Sequence, residues 1–243
     1  TMFGWGYNAQ GQLGLGDQNS RSSPTQVPGT TWASGSAGNN CSMVLKTDGT
    51  LWGMGENDNG QCANPGAVGA NIDSPVQVPG TTWSTGQKKV SMSHVKWGTA
   101  VKTDGTLWAW GYNGYGTLGQ NSTTQYSSPV QVPGTTWSRV STGDYHVIAT
   151  KTNGTLWIWG NGNTGKLGQN QPTNSDYSSP IQIPGTTWSN VGTTELGSVA
   201  TKTDGTLWTW GNNNTGGLGQ NNLTQYSSPV QVGSDTTWDK IAG

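Results

Sequence analysis

One motif recurs along the whole chain of 243 residues, and this repetition limits the folds that the chain can adopt. One copy is KTDGTLWAWGYNGYGTLG, residues 102–119, and similar copies begin at Lys46, Lys151 and Lys202. A fifth copy, TMFGWGYNAQGQLG, begins at Thr1 and lacks the KTDGT segment. A repeat of this kind is typical of solenoids and propellers, in which each copy forms one structural unit.

The local chemistry of each copy predicts a β-hairpin. Residues 104–105, Asp-Gly, are a two-residue turn signal, because a type I′ turn needs positive φ values. Residues 107–110, Leu-Trp-Ala-Trp, are of types that favour a strand. A polar loop rich in asparagine and glycine follows, so each copy predicts a strand, a tight turn, a second strand and a loop.

Three landmarks recur five times and set the repeat length at about 50 residues. They are an aromatic residue after the hairpin, a proline at a strand start, and a tryptophan that ends a Thr-Thr-Trp element. The aromatic residues are Phe3, Trp52, Trp108, Trp157 and Trp208; the prolines are Pro24, Pro75, Pro129, Pro180 and Pro229; the tryptophans are Trp32, Trp83, Trp137, Trp188 and Trp238.

Each complete unit contains four short predicted strands, and no stretch has helical periodicity. The strand that begins at Pro180 should lie at a sheet edge, because proline has no N–H to donate. Four antiparallel strands per repeat are typical of a β-propeller blade. We therefore predict an all-β fold, a β-propeller of about five four-stranded antiparallel blades, in which the terminal strands share one blade.

The landmarks predict a single propeller domain over residues 1–243. Joining the two chain ends in one blade would remove the open edges of the propeller. One strand of that blade is missing from the sequence, so the blade has three strands or the chain is a segment of a longer protein. The predicted parts are an N-terminal half-blade, residues 1–29; full blades, residues 30–80, 81–134, 135–185 and 186–233; and a C-terminal closing strand, residues 234–243.

Composition argues against several functions. Charged residues make up 9% of the chain and the net charge is −1, so we predict no nucleic-acid partner. No segment approaches the roughly 20 apolar residues that span a bilayer, so we predict no membrane insertion.

Fourteen tryptophans favour a folded chain, with Trp108, Trp157 and Trp208 in the core. Cys41 and Cys62 fall within one repeat and are either bridged or free thiols.

Residues that could support catalysis are few. His94 and His146 lie in different repeats, without the carboxylate spacing of a metal site. Asp48, Asp104 and Asp204 are explained by the hairpin turns. Glycine-rich loops follow strands but precede no helix, which is not the context of a dinucleotide-binding loop. We predict no enzyme activity, no metal and no cofactor.

Two groups of residues are candidates for contact with a partner. The first lies in equivalent loops after the aromatic strands, where Tyr and Asn can stack and form hydrogen bonds: Tyr7, Asn8, Tyr112, Asn113, Tyr115 and Asn213. The second lies where the repeats differ most and is the one cluster of cationic residues: Lys88, Lys89, Lys96 and the out-of-pattern Trp97. The alternative for the loops is that their Asn and Gly residues only form the turns.

The motif K-T-D-G-T-L-W-x-W-G-x-N-x-x-G-x-L-G, followed by S-P-V-Q-V, resembles the regulator of chromosome condensation repeat family over almost the whole chain. The resemblance implies a β-propeller. Family members with seven blades include guanine-nucleotide exchange factors and chromatin binders, and many bacterial, phage and surface proteins carry the repeats as scaffolds. This chain has five units and no basic tail, and only His146 matches the family's histidine, so we do not expect exchange activity.

We predict a non-catalytic β-propeller that presents its loops to a partner. The near-neutral surface rich in Thr, Asn, Gly and Ser resembles that of phage structural and bacterial surface proteins. The leading hypothesis is therefore a structural or adhesive component of a virion or cell-surface assembly, located on the virion or outside the cell, with a protein partner. One alternative is a lectin that binds a glycan through repeated loop sites, as five-bladed tachylectins do. Another is a regulator of a small GTPase.

Overall fold

The computed structural model describes residues 1–170 and 175–241, which form eighteen strands and two short 3-10 turns. The turns are Pro65–Ala67 and Asn163–Gly165. The strands are β1 (Phe3–Gly6), β2 (Arg21–Gln26), β3 (Trp32–Ala37), β4 (Cys41–Lys46), β5 (Leu51–Glu56), β6 (Asn71–Gln77), β7 (Val90–Met92), β8 (Trp97–Val101), β9 (Leu107–Gly111), β10 (Tyr126–Val132), β11 (Trp137–Thr142), β12 (His146–Lys151), β13 (Leu156–Gly160), β14 (Tyr177–Ile183), β15 (Trp188–Thr193), β16 (Gly197–Lys202), β17 (Leu207–Gly211) and β18 (Tyr226–Gln231).

The strands form antiparallel sheets of consecutive strands. Four sheets have four strands, β3–β6, β7–β10, β11–β14 and β15–β18, and each lies inside one of the predicted full units. Each proline-containing fourth strand is at a sheet edge, as its missing N–H requires. Repeated four-stranded antiparallel sheets are propeller blades, so the predicted all-β propeller class is confirmed.

The first blade differs from its prediction. The sheet formed by β1 and β2 has two strands, and the predicted closing strand is absent, because residues 234–241 form no strand. Residues 242–243 of the predicted closing strand lie outside the described residues. The physical reason is exposure: residues 233–240 are solvent-exposed, so no buried face stabilises a strand there.

The chain divides into two compact units, each with its own core. The first unit contains residues 1–113 and 125–132, and the second contains residues 114–124 and the chain from Pro133 onwards. Met43, Leu45 and Trp110 are among the buried residues of the first core, and Ile148 and Trp210 are among those of the second. A single domain over the whole chain stays a prediction. Within the part of the chain that is described, no helix is long and apolar enough to cross a membrane.

The hairpin between β12 and β13 has a three-residue loop, which corrects the predicted two-residue type I′ turn. Gly154 N donates to Lys151 O at 3.0 Å, and Lys151 N donates to Thr155 O at 3.0 Å. Gly154 has a φ of +76°, whereas Asn153 is not among the residues with positive φ. A type I turn followed by a left-handed glycine has this form. The requirement for glycine was predicted correctly and the turn type wrongly.

The recurring residues of the hairpin motif form one chain of contacts. Thr155 donates its backbone N and its Oγ1 to Asn153 Oδ1, at 3.2 and 2.8 Å, and Trp157 Nε1 donates to Thr155 Oγ1 at 2.9 Å. The Lys151 ammonium lies 4.4 Å from the ring centroid of Trp157 and 4.6 Å from that of Trp137, as in cation–π contacts. Equivalent contacts of the aspartates in the other hairpins confirm their predicted turn role: Asp48–Thr50–Trp52, Asp104–Thr106–Trp108 and Asp204–Thr206–Trp208.

The two tryptophans of each Trp-x-Trp strand differ in burial. Trp159 is fully buried, and its Nε1 donates to Thr117 O at 2.8 Å. Trp110 and Trp210 are buried in the same way and donate to backbone carbonyls of loops 42 to 49 residues away, as Trp159 does. The first tryptophan of each strand is partly buried, and Trp108 and Trp208 pack against the core clusters. These residues therefore lie at the edge of the core and not at its centre as predicted: Trp108, Trp157 and Trp208. They pack beside the hairpin lysines.

Candidate functional site

The asparagines of the predicted loop site are buried and close their own loops. Asn213 Nδ2 donates to Asn222 O at 2.8 Å, and its Oδ1 accepts from Leu218 N at 3.0 Å. Asn8 makes the equivalent pair of bonds in the first loop, and Asn113 is also fully buried. Side chains that are fully used by their own loops cannot contact a partner. Burial therefore argues against a binding role for these three asparagines, and Asn8 and Asn213 have the turn-forming role of the alternative.

The predicted cationic cluster is not a free basic surface. The Lys96 ammonium lies 2.5 Å from Glu56 Oε1 and 3.6 Å from Asp58 Oδ2, and the hydrogen bond to Glu56 raises the pKa of Lys96. Lys88 and Lys89 are half-buried, and burial lowers the pKa of Lys88. The neighbouring carboxylates therefore neutralise part of the charge, and a binding role for Lys88 and Lys89 stays a prediction.

Trp97 lies in the core, at the start of β8. It is fully buried and pairs with Gly111 on β9. Gly111 has a φ of +97°, and a β-carbon there would lie 2.7 Å from Trp97 Cα, so the two backbones approach closely. The prediction that Trp97 contacts a partner is wrong, because the large apolar ring is buried by the fold itself.

The tyrosines of the predicted loop site remain accessible. Tyr7 is 61% exposed and Tyr115 is 37% exposed, whereas Tyr112 is half-buried. The Tyr115 ring meets the edge of Tyr145 with 4.8 Å between ring centroids. Tyr145 lies in the turn between β11 and β12, far from Tyr115 in sequence, so the pair was not predicted. Such edge-to-face pairs present a rigid aromatic surface for contact with a partner.

Several charged side chains lie near this tyrosine pair in the second unit. The Lys166 ammonium lies 5.6 Å from the centroid of Tyr145. Burial lowers the pKa of Lys166, while the charges of three nearby carboxylates act in the opposite direction. We call this group the acidic-aromatic patch, and it consists of Tyr115, Asp144, Tyr145, Lys166, Asp176 and Glu195.

Sheet topology explains why these residues meet. In each antiparallel blade, the turn from the first to the second strand and the loop from the third to the fourth strand lie at the same end. Asp144 and Glu195 come from turns of the first type, and Lys166 and Asp176 come from the loop of the second type. Asp176 and Glu195 are exposed, and Lys166 is buried. The accessible charge of the patch is therefore negative.

His146 is linked to the Lys166 loop of the patch through Ser198. It is fully buried, and its Nε2 lies 2.9 Å from Ser198 Oγ, which donates to Lys166 O at 2.9 Å. Because the serine hydroxyl donates its hydrogen to the carbonyl, it accepts from the imidazole, so Nε2 is the protonated nitrogen. Burial, aided by the charge of Lys166, lowers the pKa of His146 to about 3. The imidazole is therefore neutral near pH 7 and positions the Lys166 loop.

We expect acidification from pH 7 to pH 5 to destabilise the protein by about 2 kcal/mol through His146. Its pKa is lower in the folded state than in the unfolded state, so the unfolded chain takes up a proton first as the pH falls below about 6.5. Urea unfolding at the two pH values measures the loss, and His146→Gln is the control. An equal pH dependence of the wild-type protein and the variant would contradict this assignment.

Among the residues described, no group of three or more His, Cys, Asp or Glu side chains could hold a metal ion. The absence of a cofactor stays a prediction. The six residues of the acidic-aromatic patch include no nucleophile placed next to a general base, and the imidazole beneath them is buried and neutral. The arrangement suits binding by charge and aromatic contact.

Two family profiles match the sequence, and both are described as the regulator of chromosome condensation (RCC1) repeat. The first matches residues 1–45, 104–150 and 204–242, and the second matches residues 32–61 and 137–166. The first profile alone therefore covers more than half of the chain, and the limits of its matches at residues 45, 104, 150 and 204 lie at the hairpin motifs that begin at Lys46, Lys102, Lys151 and Lys202.

Two curated relatives show what the chain resembles over part of its length. The chain is 34% identical over 157 residues to "Probable E3 ubiquitin-protein ligase HERC6" of Homo sapiens, a match of 61% of this chain and 15% of that protein. It is 29% identical over 134 residues to "Protein RCC2 homolog" of Danio rerio, a match of 54% of this chain and 26% of that protein. The chain thus spans about a quarter or less of these relatives.

Two solved structures share the fold. Human WBSCR16 aligns with a TM-score of 0.78 and 23% identity, over 96% of this chain and 62% of that chain. Prp20p from Saccharomyces cerevisiae aligns with a TM-score of 0.62 and 15% identity, over 98% of this chain and 75% of that chain. At these identities the likeness shows the fold alone.

Proposed function

Because the chain belongs to the regulator of chromosome condensation (RCC1) repeat family, we propose that it is a non-catalytic propeller protein that binds a protein partner through loops of its blades. The observation that carries the proposal is the acidic-aromatic patch, where loops of adjacent repeats bring together two tyrosines and three carboxylates. The structure of Prp20p is described together with its binding to Gsp1p and histones, and a protein partner agrees with that description.

The chemistry of the patch favours a basic segment of the partner. Its carboxylates at positions 144, 176 and 195 outnumber its one buried ammonium. Opposite charges speed association and select the partner, and Lys or Arg side chains also bind to tyrosine rings. The repeated-loop lectin is not proposed further, because Asn113 and Asn213, which such sites would use, are buried.

The experiment measures binding of a short peptide rich in lysine and arginine by calorimetry. We expect Glu195→Gln combined with Tyr115→Ala to weaken binding about ten-fold, which is about 1.4 kcal/mol. We also expect binding to the wild-type protein to weaken with added salt, since exposed charges are screened.

The matched control is Asp204→Asn, which removes an exposed carboxylate from a hairpin of the same unit and introduces the residue that stands at position 153. We expect this variant to bind the peptide as the wild-type protein does. An equal loss in the control, or no binding by the wild-type protein, would refute the proposed site.

Two narrower predictions go beyond this proposal. A virion or cell-surface assembly, with the matching location, stays a prediction that co-purification with envelope, capsid or tail proteins would test. Regulation of a small GTPase also stays a prediction, and accelerated nucleotide release would test it. The ligase named in the human relative is a much longer protein, of which this chain matches 15%, so we do not propose ligase activity.

A further inference from the structure

Cys41 and Cys62 are the two cysteines of the chain, and the fold brings their thiols together. Cys41 begins β4, and Cys62 lies in the loop after β5. Their Sγ atoms are 2.9 Å apart, and both side chains are buried. Carbon atoms, which are smaller than sulfur, pack at about 3.5–4.0 Å, so this is an unusually close contact between unbonded atoms.

The backbone as well as the side chains sets this approach. Cys41 pairs with Gly55 on β5, and a β-carbon on Gly55 would lie 2.9 Å from Cys41 Cα. Gly53 lies two residues before Gly55 on the same strand, and a β-carbon on Gly53 would clash with the carbonyl oxygen of Cys62. Cys62 N is held by Asn57 Oδ1 at 3.0 Å. The backbone of both cysteines is therefore held in place by β5 and by Asn57.

The positions equivalent to Cys41 and Cys62 also lie close together in another blade. The fourth full unit has Gly197 at the position of Cys41 and Leu218 at the position of Cys62. A β-carbon on Gly197 would lie 3.6 Å from Leu218 Cδ2, which is ordinary van der Waals contact. Only the first full unit, residues 30–80, carries a thiol at both positions. Cys62 thus replaces a leucine that the other full units share, at a point where it meets the thiol of Cys41.

We propose that Cys41 and Cys62 are a site of reversible covalent modification, where an oxidant of the peroxide class converts the thiol pair to an intramolecular disulfide. One thiolate attacks hydrogen peroxide, breaks its O–O bond and becomes a sulfenic acid, and the hydroxide that leaves takes up the proton lost by the thiol and becomes water. The second thiol then attacks the sulfenic sulfur, the S–S bond forms, and the sulfenic oxygen leaves as a second water. The two thiols lose two electrons and two protons, and one peroxide is reduced to two waters. The bridge ties β4 to the loop after β5.

Access to the thiols runs through Cys41. It lines a pocket of about 30 Å³ with Glu56, His94 and Lys96, which is room for one small polar molecule. Burial raises the pKa of the Cys41 thiol, so the reactive thiolate is scarce and oxidation is slow. A slow reaction with a small oxidant fits a stabilising cross-link better than a catalytic thiol. Persistence of the bridge requires an oxidising compartment.

The experiment compares protein kept in a phosphine reductant with protein exposed to hydrogen peroxide. After removal of the reagent, each sample is unfolded, alkylated with iodoacetamide and weighed by mass spectrometry. We expect two alkyl groups on the reduced protein, and none on the oxidised protein, which should be lighter by two hydrogen atoms before alkylation. We also expect the melting temperature to rise by about 5–10 °C on oxidation, because the bridge restricts the unfolded chain.

The matched control is Cys62→Leu, which introduces the residue that stands at positions 118, 167 and 218. We expect this variant to fold, to take up one alkyl group when reduced, and to melt at the same temperature in both samples. With peroxide, its single thiol can gain oxygen but cannot lose two hydrogen atoms to an intramolecular bridge. Two alkyl groups on the peroxide-treated wild-type protein, added oxygen atoms in place of a bridge, or a disulfide between two chains would overturn the proposal. An equal rise in melting temperature in the variant would also overturn it.

Discussion

Trp159→Ala is expected to destabilise the second unit by about 3–5 kcal/mol, the usual range for removal of a buried tryptophan. The side chain is fully buried, and its ring lies 5.9 Å from that of Trp137, centroid to centroid. The substitution also removes the donor to Thr117 O, which leaves a buried carbonyl without its partner. Urea unfolding followed by tryptophan fluorescence and circular dichroism measures the loss.

Trp157→Ala is the matched control for this prediction, because Trp157 lies two residues away on the same strand. Its ring is half-buried and covered by Lys151 rather than by another loop. We therefore expect a loss of about 1–2 kcal/mol, from reduced apolar burial and the lost cation–π contact. Equal losses for the two variants would show that the burial difference between the tryptophans does not determine stability.

Gly154→Ala is expected to cost about 2–4 kcal/mol, because alanine is strained at a φ of +76° and has no room. A β-carbon at this position would collide with the carbonyl oxygen of Thr186, which is backbone and cannot move independently. The displaced loop would also weaken the bond of 3.0 Å from Trp188 N to Gly154 O, which joins this hairpin to the next blade. Thermal and urea unfolding measure the effect.

Gly217→Ala supplies the control for the hairpin variant. Apart from its two chain neighbours, no described residue has an atom within 4 Å of a β-carbon added to Gly217, which is not among the glycines with positive φ. We expect its stability to change by less than about 0.5 kcal/mol, as is usual for surface substitutions. A loss in Gly154→Ala no larger than that in Gly217→Ala would contradict the steric account of the hairpin.

The blade architecture could be predicted from the sequence because it depends on local chemistry that recurs. Each repeat carries its own turn glycine, its own strand of β-favouring residues and its own edge proline, so one correct interpretation applies to every copy. Gly154 has the positive φ that the motif predicted, and Pro180 lies on an edge strand. Because the landmarks recur five times, the limits of each unit could be set by comparing the copies, and each four-stranded sheet lies inside one predicted full unit.

The candidate site could be predicted only in part, because burial depends on contacts between residues far apart in the chain. Tyr115 was recognised as a loop residue, but its partner Tyr145 lies in the next blade. Lys96 was predicted to belong to a cationic cluster, whereas its partner Glu56 lies 40 residues earlier. Loop asparagines have the same local sequence whether they face solvent or close the loop, so their burial could not be predicted.

The sequence by itself determined the order of the four complete blades and the glycine that each turn requires, since these follow from periodicity and backbone sterics. Only the tertiary structure decided which tryptophan of each Trp-x-Trp strand is buried, because a loop distant in sequence covers Trp159 and leaves Trp157 beside its lysine. It also decided that Cys41 and Cys62 touch, since both positions are set by their approach to the glycines of β5. These contacts connect separate segments of the chain, and local pattern carries no information about which segments meet.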